Sequence, residues 1–267
     1  MLTRRNIKGK EDSVVGNGQW EQAREQRGTG PGASGIKAVC FDFGQTLVDS
    51  AQGFRTAEKK AQQAVFRQSG LSDWDCFLDV YRTTRKTLHE QSRFSRRAIW
   101  SAVLEALGRQ PDMGFLEGLE QEYWRTVQRL TRPFPEAASV LSDLSGRYRL
   151  GLITNTQGEV SPDQHRIHHF PRLKAFFQCL VVAGQDGIPA KPDRAPFAHA
   201  LQELGVVPQE AVYVGDDYRI DIRGAEAAGM QPVWLKHRLV ERRWPAVTSE
   251  ALVIETLEPL CRLEELL

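Results

Sequence analysis

Four short segments of this sequence put acids, a lysine and threonines where chemistry could use them. They are Asp42-Phe43-Gly44-Gln45-Thr46-Leu47-Val48-Asp49-Ser50, Thr154-Asn155-Thr156, Lys191-Pro192-Asp193 and Gly215-Asp216-Asp217-Tyr218-Arg219-Ile220-Asp221. Each has an ordinary explanation when taken singly. An acid after a strand is often a helix N-cap, and Lys-Pro or Gly-Asp pairs are common in loops. Together they form an inventory suited to moving a densely anionic group. A carboxylate nucleophile approaches such a group only where cations neutralise the repulsion.

The elements that would carry these segments can be read from the pattern of apolar residues. Ile36-Lys37-Ala38-Val39-Cys40-Phe41 is a β-prone run ending at Asp42, and Leu150 to Thr154, Cys179 to Ala183, Ala211 to Val214 and Pro232 to Leu235 are similar runs. Helical patterns separate them: Ala137 to Leu144, one ending near Phe177, Pro196 to Leu204, and Ile222 to Ala228. This alternation predicts an α/β fold with a doubly wound parallel sheet. In such sheets ligands bind outside the carboxyl ends of the strands, where the four segments fall.

Between the first and second segments the pattern is purely helical, as in Ile99, Val103, Leu104, Leu107 and Phe115, Leu119, Tyr123, Val127. The expected organisation is therefore a polar, Gly-rich disordered leader over 1–36, an α/β core over 37–51 and 132–267, and a helical insertion over 52–131. Glu11, Asp12, Glu21 and Glu25 count against reading the leader's Arg4-Arg5 and Lys8 as a targeting presequence.

Composition narrows the partners. Lys+Arg 35 against Asp+Glu 34 leaves a formal charge of +1, no field for a nucleic acid, so a small molecule is the expected partner. No apolar run is long enough to cross a membrane, and Cys40, Cys76, Cys179 and Cys261 lack C-x-x-C spacing, which fits a reducing cytoplasm. No residue pattern specifies an oligomeric state.

In order and spacing the four segments resemble the motifs of the haloacid dehalogenase superfamily, over about residues 37 to 235, and the helical insertion stands where that family carries an α-helical cap over its Rossmann-like core. The resemblance implies a Mg²⁺-dependent hydrolase, a phosphatase acting on a small phosphorylated metabolite. Asp42 would be the nucleophile and would become phosphorylated. Asp42, Asp216 and the Gly44 carbonyl would bind Mg²⁺, with Asp221 a direct or water-mediated partner. Thr154 and Asn155 would bind the phosphoryl group, and Lys191 would bridge it and the nucleophile.

One position departs from the family pattern. Phosphatases of the family usually carry a second aspartate two residues after the nucleophile, as general acid and base; here it is Gly44. General acid–base help is worth ~10² to 10⁴ in rate. Three consequences stay open: a leaving group that needs no proton, such as an acyl or aryl phosphate; a slow phosphatase with Asp49 or Asp217 as substitute; or a domain that has lost turnover and serves as a metabolite- or protein-binding module. Relatives that cleave P–C bonds use a cap lysine as a Schiff base, for which Lys59, Lys60 and Lys86 are only nominal candidates. Relatives that attack carbon lack the Gly-Asp-x-x-x-x-Asp arrangement present here.

Other clusters have plainer expectations. Arg82, Arg85, Lys86, Arg93, Arg96 and Arg97 should form mostly a solvated face, Trp74, Trp100 and Trp124 should pack between helices, and His165, His168 and His169 should be a surface cluster rather than a zinc site.

Overall fold

The computed structural model describes residues 35–91, 93–158, 165–240, 243–247 and 250–267. The expected leader lies outside the described residues except for Gly35 and Ile36, and Ile36 packs against the core. In chain order the strands are β1 (Ala38–Phe41), β2 (Val48–Asp49), β3 (Arg132–Pro133), β4 (Arg149–Asn155), β5 (Cys179–Ala183), β6 (Ala211–Gly215), β7 (Gln231–Leu235) and β8 (Leu252–Ile254). The helices are α1 (Ala51–Ser69), α2 (Trp74–Glu90), α3 (Arg96–Ala106), α4 (Met113–Leu130), α5 (Ala137–Ser145), α6 (Pro171–Lys174), α7 (Ala195–Leu204), α8 (Arg223–Ala228) and α9 (Leu263–Leu266).

Six strands form one parallel sheet in the order β5-β4-β1-β6-β7-β8. β1 lies between β4 and β6, so the connections run to opposite sides of it and a crevice opens at its carboxyl end. Because side chains alternate along a strand, each strand feeds both faces. Val39, Phe41, Leu150, Leu152, Val212 and Val214 join a cluster with α5 and the C-terminal Leu260 and Leu263, while Ala38, Cys40, Ile153 and Tyr213 join one with α7 and α8. Continuous apolar runs are what two covered faces require.

A helix was expected to end near Phe177, but the described residues 165–178 hold only a 3₁₀ turn, Arg166–His169, and the single turn of α6. Pro171 has no N–H to continue a preceding helix, and it starts a new one instead.

Helices α1 to α4 form the insertion. Asp73 caps α2 by accepting from the Asp75 and Cys76 amides at 2.9 and 3.0 Å, and Asp112 caps α4 by accepting from Phe115 at 2.8 Å. Their apolar stripes meet in a separate core: Ala57, Ala61 and Val65 of α1, Phe77 and Tyr81 of α2, Ile99, Val103 and Leu104 of α3, Leu116, Tyr123 and Val127 of α4. Trp100 is fully buried there, with Trp74 and Trp124 packed at its margin, as expected. The basic residues divide: Arg82 and Lys86 are exposed, whereas Arg96 is buried over the Tyr123 ring, 5.1 Å from its centroid. The chain enters and leaves the insertion through one antiparallel pair, β2 with β3, in which Val48 faces Pro133 and Asp49 faces Arg132.

A buried polar contact joins the start of α5 to the segments after β7 and β8. Glu136 accepts from His237 Nε2 at 2.8 Å and from the Leu257 amide at 3.4 Å, and Phe134 stacks on the His237 ring. Burial disfavours the Glu136 carboxylate, but hydrogen bonds from its own amide, His237 and Leu257 outweigh it and hold the carboxyl below the ordinary glutamate value. A depressed folded pKa contributes stability that is present above about pH 4.3 and is lost as pH falls through the folded value. Glu136→Ala is therefore expected to lower stability by about 1–3 kcal/mol at pH 7 and to flatten the acid limb. Urea unfolding of both proteins between pH 3 and 7 tests this; parallel curves would refute it.

Candidate active site

The carboxyl end of β1 delivers Asp42 into the crevice, with its amide donating to Val214 O of β6 at 2.9 Å. β6 ends at Gly215 and the chain turns at Asp216 and Asp217, bringing Asp221 back beneath the strand end. Only glycine fits at 215, since a methyl group there would lie 2.5 Å from the Asp221 side chain. The result is a set of three carboxylates, Asp42, Asp216 and Asp221, with oxygens within 4.8 Å of one another.

Lys191 is the cation of this cluster. Its Nζ lies 2.8 Å from Asp42 Oδ1, 2.7 Å from Asp221 Oδ1, 2.7 Å from Tyr213 Oη and 2.9 Å from Ile153 O. Burial alone would pull the Lys191 ammonium down, but Asp221 and Asp42 hold it above its ordinary value, so the ion pair stays charged. Burial pushes the Asp221 carboxyl up to about 6 against the opposing pull of Lys191. Both Asp221 oxygens have protein donors, Lys191 and Tyr213 on Oδ1 and the Asp217 amide at 2.9 Å on Oδ2.

The structure thus brings together Asp42, Lys191, Asp216 and Asp221 from three of the four segments. Thr154 is buried at the end of β4, next to the Ile153 carbonyl that Lys191 grips. Asn155 has a different engagement from the one expected. Its Nδ2 donates to Lys191 O at 3.0 Å and its Oδ1 accepts from Lys191 N at 2.8 Å, so the side chain holds the lysine's main chain in place.

Both candidate substitute acids are engaged by backbone amides, and Asp217 caps the turn that follows it. Asp49 Oδ1 accepts from the Ala51 amide at 2.9 Å, and Asp217 Oδ1 accepts from Arg219 and Ile220 amides at 2.9 and 3.3 Å. Of the histidines expected as a surface cluster, His169 is exposed and His168 half-buried, but His165 is fully buried, edge-on to Phe43, and its Nδ1 accepts from the Ile167 amide at 3.2 Å. Burial, with Arg166 nearby, holds that imidazole well below its ordinary pKa and so neutral.

Sequence reasoning missed Tyr213 and Arg166. Tyr213 sits within an apolar strand with its hydroxyl bonded to Lys191, Asp221 and Ile153 O, and a tyrosine in a fully covered strand was itself a sign that the hydroxyl needs a polar partner. Arg166 is buried between the rings of Phe43 and Phe54, 5.2 and 4.9 Å from their centroids, on the side of the loop that carries Gly44. Separately, a cleft of about 650 Å³ opens where the starts of α3 and α4 meet the loops after β4 and β5, lined by Ser95, Arg97, Glu120, Thr156, Gly184 and Gln185.

Comparison with known proteins agrees with this geometry. A model of the haloacid dehalogenase-like hydrolases matches residues 36–229. A glyceraldehyde 3-phosphate phosphatase of Methanothermobacter thermautotrophicus is 29% identical over 238 residues, 87% of this chain and 100% of that protein. A phosphoserine phosphatase of Thermus thermophilus is 28% identical over 76% of this chain and 81% of its own length. Among solved structures, the 2-haloacid dehalogenase of Pseudomonas syringae pv. tomato superposes with a TM-score of 0.64 at 25% identity, covering 86% of this chain and 98% of that one.

Proposed function

The chain belongs to the haloacid dehalogenase-like hydrolases, and from that premise we propose that it is a Mg²⁺-dependent phosphatase of a small phosphorylated metabolite, working through phospho-Asp42. The observation that carries this reading is the Lys191 ammonium bonded to both Asp42 and Asp221 inside a three-carboxylate cluster at the end of β1. The relatives that are phosphatases support it. So does the acid-rich turn after β6, which a reaction at carbon would not need.

The donor set fits a hard divalent ion. Three carboxylates against one ammonium leave two formal negative charges, and all the available ligands are oxygens. Asp42 and Asp216, with the Gly44 carbonyl, would hold Mg²⁺. Asp221, whose oxygens already have protein donors, would act through water. When bound, the ion neutralises phosphoryl charge.

The chain's own groups supply the remainder. Lys191 orients the Asp42 carboxylate and sets a positive charge beside the incoming phosphoryl group. Asn155 and Tyr213 fix that lysine from either end, and Thr154 donates to a phosphoryl oxygen. Helices α1 to α4 act as a cap that excludes water, and the cleft beside Thr156 receives the organic part of the substrate. Among the described residues no helix is long and apolar enough to cross a membrane, and the four cysteines are unpaired. We assign the reaction to the reducing cytoplasm on the latter ground.

The experiment that tests the function is phosphate release from a panel of sugar, acyl, aryl and nucleotide phosphates with Mg²⁺. Release from none of them would favour the binding-module reading. A second outcome is expected of the intermediate. Position 44 offers no carboxylate to take a proton from the attacking water, so hydrolysis of phospho-Asp42 should be the slow step. Acid quenching during turnover of acetyl phosphate should then recover most of the protein in its phosphorylated form. Steady turnover with no trapped phosphoprotein would contradict this.

A further inference from the structure

We infer that Trp234 is a positioning residue for the divalent cation. Its indole N–H sets the direction of the peptide between Asp216 and Asp217, and through that peptide the aim of the carboxylates Asp216 and Asp221. This rests on the Mg²⁺ site proposed above and goes one step further, to what holds that site in shape.

Trp234 lies in β7 opposite Gly215, the last residue of β6. Its Nε1 donates to Asp216 O at 3.0 Å. The nitrogen of the same peptide unit, that of Asp217, donates to Asp221 Oδ2 at 2.9 Å. One peptide plane is thus gripped at both ends, its carbonyl by the indole and its N–H by a carboxylate of the cluster. Because the peptide is planar, the two grips act on one rigid body. A turn of that plane would swing the Asp216 side chain out of its direction and draw the Asp217 amide away from Asp221 together.

The indole is itself held in place. Trp234 is only 1% exposed, and its ring centroid lies 5.0 Å from that of Tyr218. Trp244 stands edge-to-face with it at 6.4 Å, and Lys236 Nζ sits 4.0 Å from the ring centroid. Phenylalanine would also fill a covered position in the strand. What the indole adds is a directed donor, and a buried one must find an acceptor. Here the acceptor is the carbonyl of an acid assigned to the metal.

Partners that stand behind the ligands of a metal orient them, and removing one costs ~10- to 100-fold in affinity. Trp234→Phe keeps an aromatic ring in β7 and removes the hold on the Asp216 carbonyl. Calorimetric titration of the full chain with MgCl₂ should show binding weakened ~10-fold in this variant. Asp216→Asn should abolish it. The Mg²⁺ concentration for half-maximal phosphate release from acetyl phosphate should rise by the same factor in Trp234→Phe, with kcat at saturating Mg²⁺ falling far less. In the natural chain, the indole N–H resonance of Trp234, assigned from its contact with the Tyr218 ring, should shift on addition of Mg²⁺ and saturate with the calorimetric Kd.

Equal Mg²⁺ affinity in the natural chain and Trp234→Phe, whatever the variant's melting temperature in chelator, would make Trp234 a packing residue and overturn the inference. An indole resonance indifferent to Mg²⁺ would overturn it as well. Binding that survives Asp216→Asn would put the ion outside the cluster and remove both the metal reading and the role of Trp234. Trp234-dependent Mg²⁺ binding without phosphate release from any donor would instead remove the phosphatase reading and leave this inference standing.

Discussion

Asp42→Asn is expected to abolish phosphate release, by on the order of 10⁴-fold or more, while leaving the protein folded. The amide has the size of the carboxylate but is a far poorer nucleophile toward phosphorus, so no covalent intermediate forms. The fold should survive because Lys191 keeps three of its four partners, Asp221, Tyr213 and Ile153 O. Acetyl phosphate and p-nitrophenyl phosphate with Mg²⁺ make suitable donors, with thermal unfolding as the control. Residual activity within ten-fold of the natural chain, in a protein that melts normally, would remove Asp42 from the role of nucleophile. The same variant should show no acid-stable phosphoprotein, which ties loss of turnover to loss of the intermediate rather than to a weaker metal site.

The parts of this site that could be read from the sequence are those where a local signal and a spatial requirement coincide. Strands β1, β4, β5, β6 and β7 could be read because both faces of the sheet are covered and their residues are apolar without interruption. The acids stand directly after those strands, so placing a strand places its acid. β8 has only three residues, with Val253 partly exposed, and its register comes from pairing with β7 rather than from its own composition. The β2–β3 pair is shorter still, and it exists because the two ends of the helical insertion must meet.

Side chains that act across long distances were harder to place. Asn155 looks like a ligand to the phosphoryl group when read beside Thr154, yet its partner is a peptide 36 residues away. The helical pattern expected before Phe177 gives way to short turns because Pro171 interrupts it, and those turns bury His165 and carry Arg166 to the loop after β1. A histidine-rich, polar segment looks like surface in one dimension. The burial of His165 and Arg166 within it follows from the rings of Phe43 and Phe54 that pack on them.

Lys191→Met is expected to reduce phosphate release by ~10² to 10³-fold and to destabilise the protein in a manner that depends on the metal. The methionine fills similar volume but supplies no donors, so Asp221 Oδ1 is left with Tyr213 alone and Asp42 loses its bonded ammonium. Breaking a buried pair by removing one partner costs about 3–5 kcal/mol, because the remaining charge is uncompensated. The same excess negative charge strengthens the attraction for a divalent cation, since the cluster now carries three carboxylates and no ammonium. In chelator the variant should therefore melt well below the natural chain, and Mg²⁺ should narrow that gap, because a ligand that binds only the folded state stabilises it in proportion to its affinity. If Mg²⁺ raised both melting temperatures equally, the ion would be binding away from these three carboxylates. If the variant melted like the natural chain in chelator, the lysine would not be balancing the buried acids at all. Either result would dismantle the electrostatic account of the site, whereas a wide gap in chelator that closes with Mg²⁺ requires lysine and metal to answer to the same cluster of charge.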